Sequence, residues 1–411
     1  MSKPGIHWPV VVLCFLAVLL DGFDTAALSF TIPTLSHEWG AAPAAFTLPL
    51  VLTNIGVVAG YLAAGYVGAR MKARSVVLTG VLIFAGATVL TAVILHLKSM
   101  PVFAATRLVT GLGLGLVLPA GVALATKHSA EGRRELVSVA VTLGLASGSS
   151  LGGFFGGKLL HSVGSAGVFY VAGLAPLLLA AVMAMVLPAR EPAGTAASGA
   201  KEEAKVSRLF GPGLRLPTSL IWAFSFLIFI TAYVLISWVP TLLTGYGFAA
   251  GKAPLGLAFL TLGGIAGGLV LIPLAARIGI ARALILMPAI GAVCMVLVAT
   301  VPVGEVLLFV LLAGAGFGVT AGQIGQLTLA VSIYPVRTRT TGVGWAAALG
   351  RIGSIVGPGV AGVLLALALS AQTIVLVTAV PVLVAIACAV GLSRVRSATR
   401  KERDGALVRS R

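Results

Sequence analysis

Long apolar segments recur down this chain, and their length limits what it can fold into. A helix that crosses the hydrocarbon core of a bilayer needs about 20 predominantly apolar residues. Of the 411 residues, 59% are hydrophobic and only 9% are charged, whereas soluble domains carry about 25% charged residues. We therefore predict an all-α polytopic membrane protein. Its twelve predicted transmembrane spans, numbered in chain order, are residues 9–33, 44–67, 75–95, 101–125, 136–160, 166–188, 217–243, 253–276, 283–302, 305–330, 341–367 and 372–394.

Lysine and arginine are concentrated in alternate loops. Of the 28 basic residues, 23 lie at the N-terminus, in the loops that follow even-numbered spans and in the C-terminal tail. The opposite membrane face receives only Lys98, Lys158 and Lys252. Loops rich in Lys and Arg stay in the cytoplasm, so both termini are predicted to be cytoplasmic. This distribution accounts for the net charge of +17, and no nucleic-acid partner is predicted.

The spans divide into two groups of six. Residues 189–216 form the longest connection and are rich in Pro, Gly, Ala and charge, which favours a cytoplasmic linker. We therefore predict six-helix bundles over residues 1–188 and 217–394, followed by a basic cytoplasmic tail over 395–411. An offset of 205 residues superimposes an arginine and two glycines of one half on those of the other, as expected for diverged copies. The superimposed residues are Arg134, Gly148 and Gly152 with Arg339, Gly353 and Gly357.

Asp21 and Asp24 are the only acids in the interior of a predicted span. An ionisable side chain at membrane depth is unfavourable by about 3 kcal/mol on insertion scales, and it usually marks a substrate, ion or proton pathway. Residues spaced i, i+3 share one face of a helix. Two carboxylates so close repel each other when both are charged, which suits a proton carrier. The alternative left open is structural, with one acid capping backbone or pairing permanently with an arginine.

Two arginines also fall inside predicted spans. Arg107, in the fourth span, cannot lose its charge and needs an anionic neighbour, which Asp24 or Asp21 would supply in a fixed or a switchable pair. Arg351 lies about ten residues into the eleventh span, where the sequence offers no acid at comparable depth in its own half. Because guanidinium matches a carboxylate in a bidentate way, we predict that Arg351 binds an anionic substrate. A structural role through carbonyls or glutamines is the alternative.

Other polar and aromatic residues at membrane depth are weaker candidates for substrate contact. They could equally serve packing or hydrogen bonding between helices. These candidates are Tyr233, Trp238, Gln323, Gln326 and Trp345.

The sequence has no motif for soluble chemistry. The three cysteines and five histidines show no ligand-like spacing, so neither a metal site nor a disulfide framework is predicted. Phosphate-binding loops and nucleophile elbows are absent, so no cofactor is predicted and the chain is not expected to be an enzyme. Transport would then draw on an ion gradient or on the substrate gradient.

These residues match a known family. The chain resembles the major facilitator superfamily and, within it, the aromatic acid:proton symporters. The resemblance covers nearly the whole chain and is carried by Asp21-Gly-Phe-Asp24-Thr, by Ser237-Trp-Val-Pro-Thr-Leu-Leu243 and most specifically by Tyr334-Pro-Val-Arg-Thr-Arg-Thr-Thr-Gly-Val-Gly-Trp345. It implies a bacterial inner-membrane importer that is usually monomeric and uses the first-span acids for protons and late arginines for substrate.

The resemblance also implies a cytoplasmic gate built from basic loop residues. The gate candidates are Arg70, Arg74, Arg134, Arg337 and Arg339. The chain departs from the family pattern at Ala69, where an aspartate is usual, and at Lys127, where an acid is typical. Both departures weaken the expected charge latch.

The function predicted from these observations is proton-coupled uptake of a small aromatic carboxylate of the benzoate, hydroxybenzoate or phenylpropionate class. Asp21, Asp24 and Arg107 would carry and tune the proton, and Arg351 would hold the carboxylate. The expected partners are this anion, protons and the lipid bilayer. A proton-driven exporter of organic anions or drugs remains an alternative, and a transport-dead membrane sensor is a remote one.

Overall fold

A computed structural model describes the backbone of residues 6–68, 70–188, 206–302 and 304–409, with side chains except at 336, 337, 340 and 396–409. These residues contain eleven helices long and apolar enough to cross a membrane, which confirms the prediction of an all-helical membrane protein. Ala69, most of the linker and the side chain of Arg337 lie outside the described residues. The long helices are α1 Trp8–Trp39, α2 Thr47–Gly68, α3 Ala73–Ile94, α4 Met100–Lys127, α5 Arg134–Val186, α6 Arg215–Gly245, α7 Pro254–Ile278, α8 Ile280–Thr300, α9 Glu305–Ile333, α10 Val336–Ala366 and α11 Ala371–Arg409.

Helix α5 differs most from the predicted spans. It runs for 53 residues and covers both the fifth and the sixth span. Gly164 interrupts it with φ 68° and ψ 178°, a conformation that glycine adopts at little steric cost. This break lies between the fifth predicted span, which ends at residue 160, and the sixth, which begins at residue 166.

Helix ends follow local residue chemistry. Helix α1 carries Pro9 in its first turn, where a missing N–H leaves no helical bond unmade. It ends at Gly40, whose left-handed φ of 60° and ψ of 27° place its N–H toward the carbonyls of Ser36 and His37. Such a glycine satisfies carbonyls that the last turn leaves free.

The chain groups into two compact units. The first contains the described residues up to 188 with residues 235–262 and 358–371. The second contains residues 206–234 and 263–357 with the chain from 372 onward. Helices α6, α7 and α10 each contribute residues to both units.

Backbone-to-backbone packing holds the first unit together. A Cβ atom on Gly148 of α5 would overlap the carbonyl oxygen of Leu19 in α1, and one on Gly111 of α4 would overlap the carbonyl oxygen of Thr53 in α2. Small residues let membrane helices approach this closely. These glycines therefore act as packing residues between helices of the first unit.

The second unit uses the same device. A Cβ atom on Gly318 of α9 would overlap the carbonyl oxygen of Met287 in α8, and one on Gly353 of α10 would overlap that of Phe226 in α6. Close approach at Gly353 brings α10 against the part of α6 that carries Tyr233.

Candidate functional site

A buried ion pair joins α1 to α4 in the first unit. Arg107 donates from Nη2 to Oδ2 of Asp24 at 2.6 Å and from Nη1 to Oδ1 at 3.2 Å. Both side chains are 0% exposed. Bidentate geometry of this kind is the strongest form of a carboxylate–guanidinium contact. The prediction that Arg107 pairs with one of the two acids is confirmed, and the partner is Asp24.

A threonine on α3 completes the surroundings of Asp24. Thr88 Oγ1 donates to Asp24 Oδ1 at 2.8 Å, so this oxygen receives bonds from two helices. One turn further along α3, Thr91 donates to Thr106 Oγ1 at 3.0 Å. Sequence reasoning missed Thr88, although a hydroxyl in the middle of the third span was a visible signal.

Asp21 occupies a different environment one turn earlier in α1. Its side chain is 6% exposed. The neighbouring Gly22 packs on the backbone of Leu145, and its carbonyl oxygen accepts a bond from Ser149 Oγ at 3.0 Å. Asp21 therefore lies where α1 packs closely against α5.

In the second unit, Arg351 lies on α10 beside two aromatic residues of α6. Its Nη1 atom lies 3.3 Å from the hydroxyl oxygen of Tyr233 and donates to it. The Tyr233 ring stacks on Phe229, with centroids 6.2 Å apart and planes 14° from parallel. The guanidinium is thus positioned by a phenol that is itself held by ring stacking.

Gln326 of α9 lies next to the same part of α10. Its side chain is 3% exposed, and its Oε1 atom has no hydrogen-bond partner among the described residues. Its Nε2 atom is 3.3 Å from the position that a Cβ atom on Gly350 would occupy. Gln323, one turn earlier, is half-buried. The structure therefore places Gln326 and Phe229 against Gly350, the residue before Arg351 in α10.

The two tryptophan candidates lie in other surroundings. Trp238 is fully buried in the first unit, and its Nε1 donates to the carbonyl oxygen of Pro358 at 3.1 Å. Trp345 is 40% exposed and stacks on Trp222 of α6 at 5.5 Å between centroids. Trp345 lies about two turns of α10 before Arg351, and the substrate contact predicted for each tryptophan stays a prediction.

The gate arginines whose side chains are described contact carbonyl oxygens, a ring or an acid. Arg74 donates to the carbonyl oxygen of Ala184 at 2.6 Å, and Arg339 donates to that of Tyr334 at 3.3 Å. Arg70 lies 3.7 Å above the ring centroid of Tyr66. The remaining described gate residue, Arg134, is 3.6 Å from Glu131. These contacts lie at helix ends, as expected for residues of polar loops.

Tyr334 lies in the turn between α9 and α10. Burial raises its pKa, and polar contacts with Thr218 and Trp222 offset part of that rise. A Cβ atom on Gly342 would overlap the Tyr334 ring. The aromatic ring therefore fixes the start of α10, the helix that carries Arg351.

Membrane-length helices with a buried ion pair and a half-buried arginine define a polytopic membrane transporter. The family model of the Major Facilitator Superfamily matches residues 14–349. The chain therefore belongs to the major facilitator superfamily and is a transporter rather than an enzyme.

Relatives of known name extend along most of the chain. The gallate transporter of Pseudomonas putida is 30% identical over 391 residues, which cover 88% of this chain and 86% of that protein. The 3-(3-hydroxy-phenyl)propionate transporter of Escherichia coli is 30% identical, with 91% of each chain covered. The 4-hydroxybenzoate transporter PcaK of Pseudomonas putida is 29% identical over 85% of this chain and 84% of its own. These matches confirm the predicted resemblance to the aromatic acid:proton symporter family.

Solved structures confirm the fold. A bacterial homolog of the human lysosomal transporter Spinster, inward-facing and unoccupied, superimposes with a TM-score of 0.75 at 18% identity, covering 96% of this chain and 98% of its own. A D-xylose-proton symporter gives a TM-score of 0.70 at 17% identity, with 86% and 89% covered.

Proposed function

We propose that this protein imports a small aromatic carboxylate together with protons by alternating access. The observation that carries the proposal is its similarity, over more than four fifths of each chain, to transporters named for gallate, hydroxybenzoate and hydroxyphenylpropionate. Benzoates, hydroxybenzoates and phenylpropionates are the expected class of substrate. Each has an apolar ring and one carboxylate, which suits an arginine flanked by aromatic side chains.

The proposed membrane arrangement has twelve crossings in two groups of six. Helix α5 has 53 residues and would be about 80 Å long at 1.5 Å per residue, far longer than a hydrocarbon core of about 30 Å. Its break at Gly164 supports two crossings. The excess of basic residues in alternate loops supports cytoplasmic termini in a bacterial inner membrane. The proposed functional form is a monomer in the bilayer.

Proton transfer is assigned to the first unit. Asp24 is fully buried against Arg107. We therefore assign its carboxylate the role of pairing with the guanidinium in one state and binding a proton in the other. Asp21 provides a second carboxylate on the same helix. Protonation of either acid in one conformation and release in the other would couple transport to the proton gradient.

Substrate binding is assigned to the second unit. Arg351 would hold the carboxylate and Tyr233 would orient the guanidinium, as their hydrogen bond supports. Gln323, Gln326 and Trp345 are assigned to the remainder of the substrate surface. The gate function predicted for the five loop arginines remains part of the proposal.

Uptake into proteoliposomes tests the proposal. Labelled benzoate, 4-hydroxybenzoate, 3-phenylpropionate and an aliphatic carboxylate are compared with and without an inward proton gradient. We expect accumulation of an aromatic acid only with the gradient. The variant Asp21→Asn, which keeps the Asp24–Arg107 pair, should still exchange substrate but lose accumulation.

Other outcomes identify other functions. Accumulation by Asp21→Asn equal to that of the wild type would contradict a coupling role for this acid. Extrusion of aromatic acids or drugs driven by an opposite gradient would favour an exporter. Absence of transport in either direction would contradict the proposal as a whole.

A further inference from the structure

The amide of Gln326 is buried without a protein partner for its oxygen. Its side chain is 97% buried in α9, and Oε1 accepts no hydrogen bond from the described residues. An unsatisfied buried polar group is unfavourable, and each such group in a natural protein calls for an explanation. A ligand that supplies the missing hydrogen bond is one such explanation.

The neighbours of this amide belong to the substrate site proposed above. Its nitrogen lies against Gly350, where a Cβ atom would be 3.3 Å from Nε2 and 3.1 Å from the Phe229 ring. The next residue of α10 is Arg351, which contacts Tyr233. One small region of the second unit therefore holds a cation, an aromatic surface and an amide.

We propose that Gln326 recognises a ring hydroxyl of the substrate, so that the transporter selects hydroxylated aromatic acids over benzoate. This inference rests on the proposed function and narrows its substrate class. Arg351 would bind the carboxylate, while the amide, which presents an acceptor on one side and two donors on the other, would bond the phenolic hydroxyl. A site built for a hydroxyl rejects the analogue that lacks it, because its own polar group is then left unpaired.

Binding to the purified transporter in nanodiscs tests the inference. Dissociation constants are measured by calorimetry for benzoate and for 2-, 3- and 4-hydroxybenzoate, with the wild type, Gln326→Met and Gln326→Asn. In the wild type, at least one hydroxy isomer should bind about tenfold more tightly than benzoate, the effect of one well-made hydrogen bond. Gln326→Met should remove that preference, so that benzoate and the hydroxy isomers bind with similar affinity. Gln326→Asn keeps the amide at shorter reach and should retain part of it.

The control variant is Thr328→Val, at an exposed residue of the same helix, which should keep the full preference. Equal loss of affinity for all four acids in Gln326→Met would mean a packing role and would overturn the inference. Equal binding of benzoate and every hydroxy isomer by the wild type would overturn it too, while leaving the proposed function intact. If no aromatic acid binds to the wild type, the proposed function itself is contradicted.

A separate observation concerns Pro240 in α6. Proline has no N–H, so the carbonyl of Ile236, four residues earlier, lacks its partner within the helix. Ser29 of α1 supplies one, since its Oγ lies 2.9 Å from this oxygen and 2.8 Å from that of Ser237. Ser29 is 1% exposed. A serine from the N-terminal half thus satisfies a carbonyl that proline leaves free in the C-terminal half.

Nearby contacts in the first unit join the same two halves of the sequence. Ser150 of α5 lies 2.7 Å, oxygen to oxygen, from Thr261 of α7, and a Cβ atom on Gly153 would overlap the backbone of Ala258. If transport moves the halves against each other, these contacts must break in one of the two end states. The carbonyl of Ile236 would then need water in place of Ser29.

We infer that the Ser29–Ile236 hydrogen bond is a latch that stabilises this conformation over the one in which the halves separate here. The inference rests on alternating access but not on the identity of the substrate. Because proline creates the free carbonyl, Pro240→Ala should restore the helical hydrogen bond and make Ser29 dispensable. The two substitutions should therefore be strongly non-additive.

The latch is tested with a cysteine in place of Ser150, which is buried at this contact. Its reaction rate with a soluble maleimide is measured in nanodiscs, with the unsubstituted protein as the blank for native cysteines. Ser29→Ala should raise the rate about two- to tenfold, the range for one hydrogen bond, and should add little on a Pro240→Ala background. The control Thr31→Val removes a hydroxyl that bonds within α1 to Ala27 and Leu28, and it should change little.

Three results would contradict the latch. The first is an unchanged rate in Ser29→Ala. The second is an equal increase in Thr31→Val, which would indicate general loosening of α1. The third is the same increase from Ser29→Ala with and without Pro240.

Discussion

The two charged sites of this protein differ in how their arginines are satisfied. Arg107 is fully buried and makes a bidentate bond to Asp24, which also accepts a bond from Thr88. Arg351 is half-buried and donates to the neutral hydroxyl of Tyr233. Arg107 is thus shielded from solvent on every side, whereas part of Arg351 is accessible. The difference in burial fits the proton role proposed for the first site and the substrate role proposed for the second.

The largest expected effect comes from removing one member of the Asp24–Arg107 ion pair. Asp24→Asn leaves the Arg107 charge buried without its carboxylate and should destabilise the protein by about 3–5 kcal/mol. Adding Arg107→Gln should recover much of this loss. Thermal unfolding of both variants in detergent measures the difference, and a double variant no more stable than Asp24→Asn would contradict the account.

The buried ion pair gives Asp24→Asn two possible causes for a loss of uptake. Loss of uptake in Asp24→Asn reports instability as well as lost coupling, because the arginine is left without its partner. The double variant separates these effects. If it is stable and still exchanges substrate but does not accumulate it, Asp24 is needed for coupling.

At the second site, Arg351→Gln should weaken carboxylate binding rather than folding. Loss of a charge-assisted hydrogen bond corresponds to about 1.5–3 kcal/mol, so the dissociation constant should rise roughly 10- to 150-fold. Calorimetry with an aromatic acid measures the constant, and the unfolding temperature should stay within a few degrees of the wild type. A destabilised variant with unchanged affinity would instead assign Arg351 a structural role.

A smaller change at the first site is Thr88→Val. It removes the donor to Asp24 Oδ1 while keeping the volume of the side chain. We expect a loss of about 1–2 kcal/mol in the free energy of unfolding. Unfolding in detergent compares it with Thr31→Val, whose hydroxyl bonds to Ala27 and Leu28 within its own helix. An equal loss in both variants would contradict a special role of Thr88.

The smallest expected effect is that of Tyr233→Phe at the second site. The ring stacking with Phe229 is retained and one neutral partner of Arg351 is lost. Affinity for an aromatic acid should fall about two- to tenfold, with little change in stability. An increase in affinity would mean that the phenol competes with the substrate for the guanidinium.

The outline of the fold was predictable because membrane helices are long and apolar. The apolar spans correspond closely to α1–α4 and α6–α11, whose bounds differ mainly by polar end turns. The predicted boundary between the fifth and sixth spans, residues 161–165, contains the backbone break at Gly164. Because these residues hold no acid, lysine, arginine or proline, the sequence did not indicate which of them would leave the helical conformation.

The site was predictable in its charges but not in its partners. A charge count identified Asp21, Asp24, Arg107 and Arg351, since ionised groups are rare at membrane depth. Uncharged partners such as Thr88, Ser29 and Gly350 carry no such signal, because serine, threonine and glycine are common in membrane helices. The hydrogen bond of the Trp238 indole was not predictable either. It runs to the carbonyl oxygen of Pro358 inside the first unit, whereas the sequence indicated only that Trp238 was a candidate for substrate contact.

The sequence by itself determined that this chain is a helical membrane protein with two acids and two arginines at depth. Apolar length and charge are local properties, which folding does not alter. Only the tertiary structure decided that Asp24 receives Arg107, that Gln326 lies beside Gly350, and that Ser29 meets the carbonyl freed by Pro240. Such pairings depend on how helices far apart in sequence approach each other. Glycine contacts set that approach, because a single added methyl group would overlap the neighbouring helix.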